Sequence, residues 1–160
     1  MRYTLKDYQV DAVRNVLDNL EDARLLYKRG RTSQFSLSAT TGAGKTVMAA
    51  AVIEALFFGS DEFDFPADPG AVVLWLSDDP SLNQQSLNRI FSAAPDLGPR
   101  LRIIDTSLAV PELERHNVYF LNTQKLSKNS RLVRGANLED EQDPLIARPD
   151  NMQSSFYDVL

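Results

Sequence analysis

The stretch Ala39-Thr40-Thr41-Gly42-Ala43-Gly44-Lys45-Thr46 limits what this chain can fold into more than any other feature. An apolar, strand-like run, Phe35-Ser36-Leu37-Ser38, leads into it, and Val47-Met48-Ala49-Ala50-Ala51-Val52-Ile53 leads away with helical character. The predicted order is therefore strand, tight loop, helix. In such a loop the glycines let backbone N–H groups turn toward one centre, and the positive end of the following helix favours an anion there. A lysine placed like Lys45 reaches the β- and γ-phosphates of a nucleotide, and a hydroxyl placed like Thr46 serves as a ligand of Mg²⁺. Thr41, Gly42, Ala43, Gly44, Lys45 and Thr46 are thus the candidate nucleotide-binding residues, with Lys45 and Thr46 the pair that also bears on catalysis. The pattern G-x-x-x-x-G-K-[ST] usually opens on glycine, and Ala39 stands there instead. Alanine keeps the small side chain that the turn requires while giving up some backbone freedom. The plainer alternative is a glycine-containing turn that happens to precede a lysine.

The rest of the chain is consistent with one domain built around that loop. Its 160 residues suffice for a single sizeable core, and a composition 43% hydrophobic and 24% charged is globular. No apolar run approaches the roughly 18 residues of a membrane span, and the start, Met1-Arg2-Tyr3-Thr4-Leu5-Lys6, lacks the apolar centre of a signal peptide. The absence of cysteine excludes disulfides and thiolate metal sites, so a cytoplasmic setting is expected and a membrane partner is not. Seventeen basic against 22 acidic side chains, a net charge of −5, provide no global attraction to nucleic acid, although a local basic groove remains compatible with them.

Hydrophobic spacing predicts a first helix over 7–28, where Tyr8, Val10, Val13, Val16, Leu17, Leu20 and Leu25 recur mostly three or four apart. Gly30-Arg31-Thr32-Ser33 breaks it, and the loop and its helix follow, fading at Gly59-Ser60. Beyond an acidic, proline-bearing loop over 61–70, the continuous apolar run Ala71-Val72-Val73-Leu74-Trp75-Leu76 predicts a strand buried on both faces at a sheet centre. Further expected elements are a helix over 81–94 and strands over 101–104 and 117–121. Strands alternating with helices predict an α/β fold with a doubly wound parallel sheet and helices on both faces. After Leu126 the periodicity dissolves, so 127–150 is expected to form a mobile loop, and 152–160 regains a pattern compatible with a short helix.

Three segments in this order resemble the first motor domain of superfamily 2 helicases, the DEAD/DEAH-box proteins among them. They are Leu5-Lys6-Asp7-Tyr8-Gln9, the Ala-x-x-Gly-x-Gly-Lys-Thr loop, and Asn122-Thr123-Gln124-Lys125-Leu126. The nearest likeness is to the restriction subunit of type III restriction enzymes. The resemblance implies a RecA-like P-loop NTPase domain that takes ATP and Mg²⁺ and works on DNA or RNA together with a second motor domain. It implies that Gln9 recognises the adenine edge, a task suited to a carboxamide because it donates and accepts at once. An exposed helix-terminal glutamine is the alternative. Tyr3 is a candidate for stacking on the base, against the simpler role of Tyr3 and Tyr8 as partly buried anchors of the first helix. The resemblance also places Gln85 and the pair Thr123 and Gln124 at segments that touch the nucleic-acid backbone. Asp78 and Asp79 beside Gln85 are poor neighbours for phosphate, and a solvated helix start with Ser81 as N-cap is the competing interpretation.

The chain departs from that family in one important respect. Such motors carry a later strand ending in Asp-Glu, one acid orienting Mg²⁺ and the other activating water, and no apolar run after Leu126 ends so. The expectation is a single incomplete N-terminal RecA-like domain over 1–160, part of a longer polypeptide, which binds ATP without hydrolysing it. A complete small P-loop kinase or nucleotidase is the alternative, using Asp78 or Asp105 to orient magnesium. A GTPase fits less well, since Asn122-Thr123-Gln124-Lys125 lacks the aspartate that reads guanine. An interaction module using the acidic residues 138–143 is a third option, and His116, the one histidine, suits a surface or capping role.

Overall fold

The computed structural model describes residues 1–104 and 113–123. The chain divides into two compact units, Met1–Pro69 with Asn88–Pro99, and Gly70–Leu87 with the described residues from Arg100 onward. In the first unit, helix α1 runs over Asp7–Tyr27 and helix α2 over Lys45–Phe58. The predicted spacing of α1 works as an amphipathic stripe: Val13 and Leu17, one turn apart, are buried, while Tyr8 and Leu25 remain exposed. Helix α2 is apolar nearly all round, and Met48, Ala50, Ala51, Ile53, Ala55, Leu56 and Phe57 are buried in it. Its alanines bring other backbones close, and α1 packs on α2. Ile90, Ala93, Ala94 and Leu97 add to this unit's core, with the Arg2 N–H donating to the Ala93 carbonyl at 2.7 Å. The acidic loop after α2 is pinned rather than free. Ser60 and Phe65 pair across an antiparallel bridge, Phe65 is buried, and Arg24 of α1 forms an ion pair with Asp68.

The second unit contains a three-stranded parallel sheet of β1, Val72–Ser77; β2, Leu101–Ile103; and β3, Asn117–Asn122, in the order β1-β3-β2. The register sets Val72 beside Asn117 and Ser77 beside Asn122, so the carboxyl ends of β1 and β3 finish level. Helix α3, Pro80–Ala93, begins directly after β1, as a parallel connection requires. Every residue of β3 is buried, and Trp75 of β1 packs on Phe120 with ring centres 5.9 Å apart.

Helices α1, α2 and α3 match the predicted spans closely, whereas three expectations about strands and caps need correction. Phe35–Ser38 is not a strand, and Phe35 and Leu37 are 44% and 37% exposed. A strand is defined by the ladder it makes with a neighbour, and the described sheet consists of β1, β2 and β3 alone. Strand β1 is not the sheet centre either. It lies at an edge of the described sheet with alternating residues exposed, and β3, flanked on both sides, takes the central place. Ser81 is not the N-cap of α3; Asp79 Oδ1 accepts the Ser81 N–H at 2.8 Å, and Pro80 opens the helix, where a missing N–H costs nothing. The short 3-10 helix Pro95–Arg100 was not foreseen. The expected loop over 127–150, the terminal helix over 152–160, the acidic residues 138–143 and Asp105 lie outside the described residues.

The contrast along α1 yields a direct expectation. Leu17 is 1% exposed and Leu25 is 53% exposed. Leu17→Ala should lower the unfolding free energy in urea by about 2–5 kcal/mol through lost burial and a residual cavity, and Leu25→Ala by no more than about 0.5 kcal/mol. Equal losses would mean that the packed face of α1 has been misidentified.

Candidate functional site

Within the first unit, the phosphate-loop candidates are assembled where α2 begins. Gly42 and Gly44 both have positive φ, +84° and +83°, the left-handed region that side chains with a Cβ disfavour. Gly44 is also the N-cap of α2, so the loop reverses direction on a residue that also starts the helix. Ala39 is not among the described non-glycine residues with positive φ, which are Asp64 and His116, so its methyl group adds no strain. The N–H groups of Gly44, Lys45 and Thr46 find no acceptor among the described residues, as the geometry of a helix start dictates. Lys45 folds across the loop, its Nζ donating to the carbonyls of Ala39 at 2.6 Å and Thr40 at 3.1 Å. The half-buried Thr46 hydroxyl has no protein partner among the described residues. Free donors, one cation and one hydroxyl at the positive end of a buried helix are a donor set that fits the phosphates and metal of Mg-nucleotide.

Gln9 belongs to the same constellation. It is 8% exposed, so it is not the exposed surface glutamine that its type suggests. Its Oε1 accepts the Lys6 N–H at 3.0 Å, closing the first turn of α1, and its Nε2 donates to the Ala43 carbonyl at 3.0 Å. Glutamate would manage the first bond and not the second, since a carboxylate has no proton to donate. One N–H and one lone pair of the carboxamide are left over. Tyr8 adds a second donor, its hydroxyl lying 3.2 Å from the same Ala43 oxygen. This role was not legible beforehand; the adjacency Tyr8-Gln9 was visible, but its common target was not. Both Tyr3 and Tyr8 are about half exposed, and Tyr8 anchors α1 to the loop through its hydroxyl rather than by burial of its ring.

Within the second unit, the level ends of β1 and β3 bring together segments far apart in sequence. The Thr123 hydroxyl lies 2.5 Å from Asp78 Oδ1 and 3.4 Å from the Ser77 carbonyl, and Asn122 Nδ2 donates to the Asp78 carbonyl at 3.2 Å. The Ser77 hydroxyl lies 2.7 Å from Oδ1 of Asn83, which is buried. Asn83 was missed, although a polar residue seven positions before the buried Ile90 on α3 is a readable sign of a core-facing amide. Gln85 is exposed on α3, and Gln124 lies outside the described residues. The carboxyl edge of a parallel sheet is where α/β folds place their ligands, and Thr123 meets Ser77 and Asp78 there, while Gln85 takes no part in those hydrogen bonds. Asp79 is held below the ordinary aspartate value by its hydrogen bonds from the Ser81 backbone and hydroxyl, which favour the charged form.

Comparison with protein families matches residues 2–150 to the type III restriction enzyme, res subunit. The chain belongs to this family. No curated protein and no solved structure matches it. As a member it is a helicase-like ATPase motor domain of superfamily 2 with an α/β, P-loop NTPase fold, and its family works with ATP, Mg²⁺ and nucleic acid. No described helix of the chain is long and apolar enough to cross a membrane.

Two outcomes follow from the site geometry. A Cβ on Gly44 would stand 2.5 Å from Gln9 Nε2, besides the strain at its φ. Gly44→Ala should therefore destabilise the protein by about 1–2 kcal/mol from φ alone, and Gln9→Ala in the same chain should remove only the steric part, which urea unfolding of the single and double variants will separate. The depressed pKa of Asp79 makes the cap of α3 present above the ordinary value of 3.8 and lost as pH falls through the lower folded value. The Ser81 amide resonance should accordingly titrate with a midpoint below pH 3.8 in the native protein, and Asp79→Asn should abolish that movement.

Proposed function

We propose that this chain is the ATP-binding part of a nucleic-acid-dependent motor, acting as a helicase or translocase in a type III restriction enzyme-like protein. In this reading Thr41 to Thr46 hold the phosphates through backbone N–H groups, Lys45 exchanges its loop carbonyls for the β- and γ-phosphates, and Thr46 contributes a ligand to Mg²⁺. The metal supplies charge neutralisation on the phosphates when bound. Gln9 keeps the loop in shape through Ala43 and offers its remaining N–H and lone pair to adenine. Gln85, Thr123 and Gln124 contact the sugar-phosphate backbone of DNA or RNA, sequence-blind contacts suited to a hydroxyl and two amides. A second motor domain contributes the arginine finger, and the setting is cytoplasmic. The observation that carries the proposal is the set of free N–H donors at the start of α2, spanned by Lys45 and fastened to α1 by Gln9.

The small-kinase alternative draws no support from Asp78, whose carboxylate is engaged by the Thr123 hydroxyl within the second unit, and Asp105 lies outside the described residues. With no apolar run ending in Asp-Glu after Leu126, these 160 residues are proposed to hold ATP without turning it over.

Calorimetric titration with Mg-ATP should show binding that Lys45→Ala abolishes. Gln9→Ala should weaken ATP more than GTP, since deletion of an adenine contact leaves guanine indifferent. Equal heats from the native protein and Lys45→Ala would end the nucleotide assignment. Equal losses for ATP and GTP would leave Gln9 with its loop-holding bonds alone, and vigorous phosphate release by the chain unaided would overturn binding without turnover.

A further inference from the structure

The carboxyl end of α1 presents a second basic feature that the motor reading does not use. Arg24, Tyr27, Lys28, Thr32, Ser33 and Asp68 line most of a cleft of about 580 Å³, within the range of small-molecule pockets. Tyr27 is 75% exposed, an unusual position for a large aromatic with no ring partner among the described residues. The acid in the cleft, Asp68, is paired with Arg24, whose guanidinium also lies over the Phe65 ring. Lys28 and its neighbours Arg29 and Arg31 have no ion pair or side-chain hydrogen bond among the described residues. The turn carrying them is ordered: the Gly30 N–H donates to the Tyr27 carbonyl at 2.9 Å and the Arg31 N–H to the Leu26 carbonyl at 3.0 Å.

We infer that this cleft and the basic turn beside it form an accessory binding site for single-stranded nucleic acid, with a base stacked on Tyr27 and adjacent phosphates held by Lys28 in the cleft and by Arg29 and Arg31 on the turn. Each part answers one part of that ligand. An exposed ring offers a stacking face to any unpaired base, which a duplex keeps covered by its neighbours. Three unpaired cations within four residues create local positive charge in a chain whose net charge is −5, concentrating attraction for a polyanion at this end of α1. Thr32 and Ser33 supply neutral hydroxyls for phosphate or sugar oxygens. A helix end favours cations through its dipole alone, but that does not explain an aromatic left in solvent beside them. The site shares no residue with the phosphate loop or with Thr123, so it stands or falls separately from the proposed function.

The test is fluorescence anisotropy of a labelled oligothymidylate titrated with the 160-residue chain at several chloride concentrations. Tyr27→Ala should weaken binding about 5-fold or more with little change in salt dependence, and Tyr27→Phe should retain it, because the ring and not the hydroxyl stacks. Arg29→Ala with Arg31→Ala should lower the slope of log K against log salt by about 1.4. Circular dichroism and urea midpoints of all variants should equal those of the native chain, given the exposure of these side chains. The inference is overturned if the native chain binds the oligonucleotide and the Tyr27 and arginine variants bind it equally well. It is also overturned if no strand binds at low salt, if a duplex of the same length binds as tightly, or if inorganic phosphate displaces the strand more than chloride at equal ionic strength, which would indicate a simple anion pocket.

Discussion

The carbonyl of Ala43 receives two donors from the start of α1, Gln9 Nε2 and the Tyr8 hydroxyl, and much of the first unit depends on that junction. A loop with left-handed glycines on either side of Ala43 has little to hold it in place by itself. Clamping the peptide between those glycines fixes the direction of the N–H groups that follow. The same carboxamide closes the first turn of α1 through Lys6, so the helix start and the loop are parts of one hydrogen-bonded unit. The packing of α1 on α2 then supplies the apolar burial that makes the junction rigid.

The second unit uses a different device. The parallel register of β1 and β3 ends both strands at the same level, which brings Thr123 within reach of Ser77 and Asp78 although more than forty residues separate them in the chain. Asn83, from the first turn of α3, and Asn122 complete the network, and the burial of both amides ties the carboxyl edge to the interior. Burying such amides is tolerable only because each has a partner. The result is a polar edge held together by side-chain hydrogen bonds. The Asp78 carboxylate there engages the Thr123 hydroxyl, so in the proposed reading a phosphate approaching Thr123 would have to compete with it.

Much of this was legible in the residues. The glycines, Lys45 and Thr46 identify the loop because few other uses combine them at that spacing, and the 3.6-residue periodicity of α1 and the apolar content of α2 locate both helices within a residue or two. The resemblance of the Tyr8-Gln9 pair to a family pattern marked Gln9 as an adenine contact, whereas its bond to the loop carbonyl of Ala43 depends on helix packing and was not legible. Less legible were features that depend on neighbours. Val72–Leu76 is apolar enough for a sheet centre, yet position in a sheet is a property of pairing, and β3 with its two flanking asparagines took that place. Phe35–Ser38 has strand composition without a strand partner, and Asp79 displaced Ser81 as cap because Pro80 starts the helix one residue earlier.

What the sequence by itself determined is whatever rests on local covalent and periodic constraints: a glycine loop before a helix, the amphipathic stripe of α1, the apolar length of α2, and the chemical types of the candidate site residues. Tertiary structure decided which of those types meet. It set Gln9 and Tyr8 on one carbonyl, Thr123 on Asp78, and Tyr27 in solvent beside unpaired cations. Hydrogen bonds across tens of residues depend on strand register and helix packing, which no short window of sequence encodes, because the energy that selects them comes from burial summed over the whole unit.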